Sequence, residues 1–364
     1  MGGSKKVIML RKRNLNFKIL LFCWAVFITQ IVEGQKKYFN YETITDNSKN
    51  FSFPVFNSSK KSLALEKINQ HLQLSELELL VGHEKENIFE IVTNNASALY
   101  GPKATISFEI INNSNKILSL LFNESSCGMT CWYWDQYFNF NTANGDLITV
   151  EDLFTPEGFK KFKPFILKRR VDNMAAQLES DSISMSPEFK DEFLKLKTIS
   201  IEKDDLSDFF IKDNSLFIAG ENLLSKNERF SGIDMTCEFQ LKEFKFYLND
   251  YGKTVFMNTS TPLITFRSTH LPQLYSGTIG NERILLIFKP TYENQIIGIY
   301  ANFKKGVGIN LEGSLREKAL YLRELTRDYQ ENGSIDAEYT WKEIKGTWKS
   351  KDGTKILPIK LIRK

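Results

Sequence analysis

Apolar positions along the chain change their spacing several times, and each change marks a different kind of element. Ile19 to Val32 is apolar apart from Thr29 and Gln30, and a cationic run from Lys5 to Lys18 precedes it. Val32-Glu33-Gly34 follows with small residues at the −3 and −1 positions, which completes the layout of a secretory leader over residues 1–34. Fourteen residues in a helix rise about 21 Å against a hydrocarbon core of roughly 30 Å, so a cleaved leader is predicted rather than an anchor. Phe22 stands where a lipoprotein signal before Cys23 would need a small residue, and no later stretch is apolar enough to span a bilayer.

Residues 35–60, rich in Asn, Ser and aromatics, read as a linker or edge strand. Leu65, Ile68, Leu72 and Leu79 then share one helical face. Thr105–Ile111 and Lys116–Asn123 alternate as strands around a turn at Asn112–Asn115. Trp132–Asn141 runs as a third strand into Asn144-Gly145, a hairpin signal, and Leu147–Val150 is predicted to return and complete a meander. Thr155-Pro156-Glu157 predicts a capped helix start, continued by Leu167, Val171, Met174 and Leu178. Asp208–Lys212 and Leu216–Ala219 form a predicted strand pair hinged on Asp213-Asn214. Leu241, Phe244, Leu248 and Tyr251 stripe a helix that Gly252 would stop.

From Tyr275 onward about eight short alternating segments follow, the spacing of a small antiparallel barrel or sandwich. Turn cues separate them at Gly280-Asn281, Tyr292–Asn294, Lys304–Gly306, Gly313-Ser314, Glu331–Gly333 and Lys351–Gly353. The predicted class is therefore α+β: an antiparallel sheet with packed helices over 61–258, a linker over 259–272 with Pro262 and Pro272, and an all-β domain over 273–364.

The 364 residues are 42% hydrophobic and 25% charged, which excludes a disordered chain. Six of the 48 Lys/Arg and one of the 44 acids lie in the leader, so the net charge of +4 becomes −1 without it. Bulk charge gives no footprint for nucleic acid. Seven Asn-x-Ser sequons (Asn50, Asn57, Asn95, Asn112, Asn123, Asn258, Asn332) matter only on a route that glycosylates them.

Beyond the leader remain Cys127, Cys131 and Cys237. Export makes a disulfide the default, and an odd count leaves one thiol. Pairing Cys127 or Cys131 with Cys237 would close a loop of more than a hundred residues, worth about 2–4 kcal/mol in the chain-entropy model. A metal site from these cysteines and His270 lacks paired ligand spacing, and no metal or cofactor is expected.

The other histidines are His71, read as a surface side chain, and His83. No HExxH, P-loop or GxSxG pattern occurs, and Gly306-Val-Gly308 reads as a tight turn. Glu151-Asp152 and Asp204-Asp205 read as solvated turns or helix starts, and no catalytic residue is assigned.

Cys127 to Phe140 is the most informative stretch. In a strand, Trp132, Trp134, Gln136, Phe138 and Phe140 point one way, and Tyr133, Asp135, Tyr137 and Asn139 the other. The second face mixes tyrosines with hydrogen-bonding groups, which suits a protein partner or a glycan. Tyr133, Asp135 and Tyr137 are the candidate ligand-binding residues; the competing reading is an ordinary solvated face.

Ile106–Ile110, Ile117–Phe122 and Tyr137–Phe154 resemble the extracytoplasmic domain of unknown function of RsiV-type anti-sigma factors. The same module resembles a non-catalytic part of PdaC-type peptidoglycan deacetylases. Ile211–Ile218 fits the later hairpin of that family, and Phe239–Gly252 resembles the terminal helix of a variant common in exported Bacteroidetes proteins. The resemblance covers about residues 41–256 and implies an α+β binding module, which in RsiV recognises lysozyme. Cys127–Cys131 replaces the usual glycine-and-histidine loop, and the resemblance supplies no sigma-binding segment here. Ile296–Tyr300 and Ile344–Trp348 resemble lipocalin-like or avidin-like barrels more weakly.

These readings predict an exported, extracytoplasmic, non-catalytic protein that binds a protein or cell-wall glycan, with no transmembrane segment after leader removal. The alternatives are a wall-polymer hydrolase using Glu151 or Asp152 as acid and base, and a carrier with an open apolar lumen in 273–364.

Overall fold

The computed structural model describes residues 37–58, 61–84, 87–94, 101–128, 130–180, 185–204, 206–229, 232–257, 259, 263, 266–289, 295–326 and 329–364. The leader, the sequons at Asn95 and Asn258, Asp205 and the turn at 292–294 lie outside the described residues.

The chain begins with a hairpin, β1 (Asn40–Thr45) and β2 (Ser52–Asn57), followed by helix α1 (Leu63–Leu77) and a short α2 (Glu90–Asn94). Strands β3 (Lys103–Asn113), β4 (Ile117–Cys127) and β5 (Cys131–Asn141) form an antiparallel meander. The return after Gly145 is shorter than the alternation suggested: it makes one bridge, Phe140 to Leu147, and then turns into a 3₁₀ helix at Val150–Leu153. Helices α3 (Pro156–Glu179) and α4 (Pro187–Glu202) come next, both starting at proline after a serine or threonine whose side chain accepts a backbone N–H.

A second sheet holds β6 (Phe209–Lys212), β7 (Ser215–Ile218) and β8 (Cys237–Gln240). Its first turn has Asp213 and Asn214 at φ 48° and 63°, the left-handed pair of a tight hairpin. Short helices α5 (Lys226–Arg229) and α6 (Leu241–Phe244) and the longer α7 (Asp250–Met257) complete this part. The single striped helix expected to stop at Gly252 is instead broken before it. Asn249 accepts the Gly252 N–H at 2.8 Å, so Gly252 lies in the first turn of α7. A Cβ there would sit 2.0 Å from the Leu153 carbonyl oxygen, so close packing is the reason for the glycine.

His71 is a second correction. It is 4% exposed, edge-to-face on Phe138 and Phe140, and burial lowers it to about 3. The stripe of Leu65, Ile68 and Leu72 does not reveal this, because α1 is buried on nearly all sides and a fully buried helix shows no polar face.

Residues 274–363 form a closed antiparallel barrel of β9 (Leu274–Ile279), β10 (Glu282–Lys289), β11 (Gln295–Asn302), β12 (Gly308–Arg316), β13 (Ala319–Leu325), β14 (Glu331–Tyr339), β15 (Glu343–Ser350) and β16 (Ile356–Arg363). β9 closes it by pairing with both β10 and β16. Gly313 and Asn332-Gly333 lie inside strands rather than at turns. At Gly313 the Tyr321 carbonyl would be 1.8 Å from a Cβ, and the turn falls instead at Glu317, with φ 55°.

Inward-facing Tyr275, Leu286, Phe288, Leu311, Leu322, Ile335 and Leu361 are at most 1% exposed, so the barrel centre is filled by its own side chains. Towards one end Glu324 accepts from Tyr300 (2.8 Å), Trp348 (2.7 Å) and Asn332 (2.6 Å). Outward-facing Leu285, Ile287, Ile299 and Ala301 pack on Leu74 and Leu80, and Gly308 N–H bonds the Glu78 carbonyl at 2.7 Å. The barrel is thus seated against the end of α1.

Among the described residues no helix is long and apolar enough to cross a membrane.

Candidate functional site

Strand β5 links the two places where chemistry could occur. At its outer end Cys127 and Cys131 are joined in a disulfide across the β4–β5 turn. The connectivity that the sequence left open is thereby settled, and no long loop through Cys237 forms. Cys237 is a buried thiol, pushed above its usual value by burial. The residues flanking the bridge decide this, because Cys127 and Cys131 are register partners in the ladder.

Next to the disulfide, Trp132 and Tyr133 are 54% and 51% exposed and point to opposite faces of β5. The Tyr133 carbonyl accepts from the Arg229 guanidinium, which pins the exposed end to the 221–229 segment. Asp135 is half-buried, accepts from Asn123 at 2.7 Å and is raised by burial. Tyr137 is buried and stacks on Phe210, ring centroids 5.6 Å apart, which in turn stacks on Phe217 at 4.6 Å. The three candidate residues therefore share a face but not an environment: Tyr133 meets solvent, while Tyr137 lies under the second sheet. Alternation along the strand could not reveal that β6 and β7 cover its inner half.

That inner half borders a cavity of about 240 Å³ lined by Tyr137, Asn139, Thr149, Glu151, Ser207, Phe209, His270 and Lys289 among others. Leu206 forms part of the wall in a left-handed conformation, φ 61°, a strained state for a side-chain-bearing residue. His270 places Nδ1 3.3 Å from Glu151 Oε2 and Nε2 3.7 Å from Asp152 Oδ1. Asp152 is raised by burial, opposed by His270, and accepts the Thr149 N–H at 2.9 Å as the helix cap. The acidic doublet is thus a helix start, with a histidine partner that spacing did not reveal. Each imidazole nitrogen lies within 4 Å of a carboxylate, and His270 and Glu151 both line the cavity. Among the described residues no group of three or more His, Cys, Asp or Glu is placed to hold a metal.

Two buried charge clusters lie beyond the cavity. Asp146 meets Lys67, Arg267 (3.0 Å) and Arg363 (2.8 Å). Lys103 meets Glu124 and Glu76, the latter at 3.4 Å.

No family model and no curated protein matches the chain. A solved structure described as a member of the DUF3298 family from Bacteroides fragilis is similar over 61% of this chain and 96% of that one, with a TM-score of 0.38 and 11% identity.

Proposed function

We propose that the protein is an exported, non-catalytic binding protein of the cell envelope that recognises a protein, lysozyme-like by analogy with RsiV, or a wall glycan. The observation that supports this reading is the outer end of β5, where a disulfide stiffens a turn flanked by two half-exposed aromatics. Ordering costs oppose binding, and a pre-stiffened aromatic pair reduces them. A disulfide also suits an oxidising compartment, which favours an extracytoplasmic location.

The test is titration of the processed chain with lysozyme, chitin oligosaccharides and soluble wall fragments. Trp132→Ala with Tyr133→Ala should weaken the responding ligand by about tenfold or more, as loss of central aromatics does. Unchanged affinity after replacing Tyr133, Asp135 and Tyr137 together would remove those residues from the contact.

One observation favours a second reading, a wall-polymer hydrolase: His270 and Glu151 share a cavity. Hydrolysis of wall fragments that is lost in Glu151→Gln would establish it in place of the first.

A further inference from the structure

The outer edge of β5 is blocked almost everywhere, and the gap falls at the cavity. In an antiparallel pair, the N–H and C=O of every second residue of an edge strand point away from its neighbour. On β5 the parity is set by Asn139 and Asn141. The Asn139 carbonyl accepts from Ile148 at 2.7 Å and the Asn141 N–H donates to Asp146 at 2.9 Å, both on the side away from β4. Tyr133, Asp135 and Tyr137 belong to the same outward set.

Arg229 occupies the carbonyl of Tyr133. At Asp135 a side-chain amide takes the place of a strand: Asn222 Nδ2 donates to the Asp135 carbonyl at 2.9 Å, and Asn222 Oδ1 accepts from the Asp135 N–H at 3.4 Å. Asn222 is held in that pose by Asp208 and Arg229, at 2.8 and 2.9 Å. One step further along, the outward N–H and C=O of Tyr137 and the N–H of Asn139 have no partner among the described residues. Tyr137 and Asn139 are 8% and 2% exposed, and both line the cavity of about 240 Å³. Buried backbone groups are nearly always paired, by protein, ordered water or ligand, so this donor and acceptor are offered to whatever occupies the cavity.

We propose that this cavity binds a short extended peptide, with one residue pairing its own N–H and C=O with those of Tyr137 in the manner of an added strand. An extended residue carries donor and acceptor on one side at the spacing the edge presents. The wall offers apolar Leu147, Leu206 and Phe209 for a side chain. Its charged groups are engaged elsewhere, Glu151 3.3 Å from His270 and Lys289 donating to the Ser75 carbonyl at 3.0 Å, so the backbone edge rather than an ion pair carries the recognition. The volume admits one or two residues, so the ligand is a dipeptide, or a tripeptide of which one or two residues enter the cavity. This site is separate from the exposed end of β5 and does not depend on it.

The experiment uses the processed full chain with trialanine as probe, followed by backbone amide exchange. In the free protein the Tyr137 amide should exchange at least about tenfold faster than those of Gln136 and Phe138, whose N–H groups face β4. Trialanine should bind with a Kd on the order of 1 mM and slow Tyr137 exchange about tenfold. An analogue with an ester in place of the central amide should bind about tenfold more weakly. The Trp132→Ala, Tyr133→Ala chain should bind trialanine like the parent, which separates this site from the proposed ligand surface. Slow Tyr137 exchange in the free protein would overturn the proposal. So would no binding at about 50 mM, binding that leaves Tyr137 exchange unchanged, or equal protection by N-acetylglucosamine.

Discussion

Two buried carboxylate sites flank α1, and they are built in opposite ways. At Asp146, whose side chain is shut off from solvent, three cations converge from three parts of the chain: Lys67 on α1, Arg267 from the segment before the barrel, and Arg363 on β16. At Lys103 a single ammonium serves two carboxylates, Glu76 at the end of α1 and Glu124 on β4. The first site has cations to spare, so its anion stays matched when one is lost. The second has two carboxylates on one contacting ammonium, with Lys289 acting only on Glu76 from outside the pair, and a proton on Glu124 relieves the crowding. Burial and the charge of Glu76 push Glu124 up to about 8, while Lys103 and Lys289, against burial, hold Glu76 low. Surplus of one sign makes a rivet, and shortage makes a proton store.

The largest effect should come from the cation in short supply. Lys103→Met leaves ionised Glu76 and its protonated neighbour Glu124, 1% and 2% exposed, without the ammonium they share. The expected loss is about 3–5 kcal/mol, the range for one partner removed from a buried ion pair. A urea titration measures it, and a loss under about 1 kcal/mol would show that the two sites do not differ as argued.

The proton store predicts a pH dependence of defined sign. Between the ordinary glutamate value of 4.5 and about 8, the folded chain holds a proton at Glu124 that the unfolded chain has released. The unfolded state then binds fewer protons, so stability falls as pH rises across that window. Glu76 acts in the other direction: its lowered value stabilises the fold above 4.5, and that contribution is lost as pH falls towards about 2. Glu124→Gln keeps an acceptor for Lys103 and a donor for Glu76, and should flatten the slope between pH 5 and 8. Thermal midpoints across that range would test it, and an equally steep slope in the variant would place the proton elsewhere.

Neither site was legible in the sequence, whereas the barrel was. Strand alternation and turn residues are local, so eight strands from 274 onward could be read from period-two patterning alone. The partners of Asp146 lie 79, 121 and 217 positions away, and no local pattern encodes such a meeting. Lys67, Glu76 and His71 sit on a helix whose polar residues look like a solvated face until the barrel and meander close over it. The same limit applied to β5. Its alternation singled out Tyr133, Asp135 and Tyr137, but which of them meets water depended on β6 and β7, placed about seventy residues later. The cysteine pairing stayed open for the opposite reason. The long loop was weighed for its entropy, although register places Cys127 directly opposite Cys131.

The smallest effect should fall on the site with cations to spare. Lys67→Met removes one of three partners of Asp146 together with a bond from Nζ to the Lys364 carbonyl at 3.0 Å. Arg363, 5% exposed, and Arg267 remain on the carboxylate, so its charge is still compensated after the change. Burial already lowers Lys67, so its charge costs desolvation that methionine does not incur, and the unbranched thioether fills the path of the lysine stem. The net loss should be about 1 kcal/mol, a third or less of the Lys103→Met value in the same titration. Equal losses at the two lysines would mean that each cation is indispensable wherever it is buried. The surplus at Asp146 would then carry no redundancy, and its three cations would have to be explained by what they hold together rather than by what they neutralise.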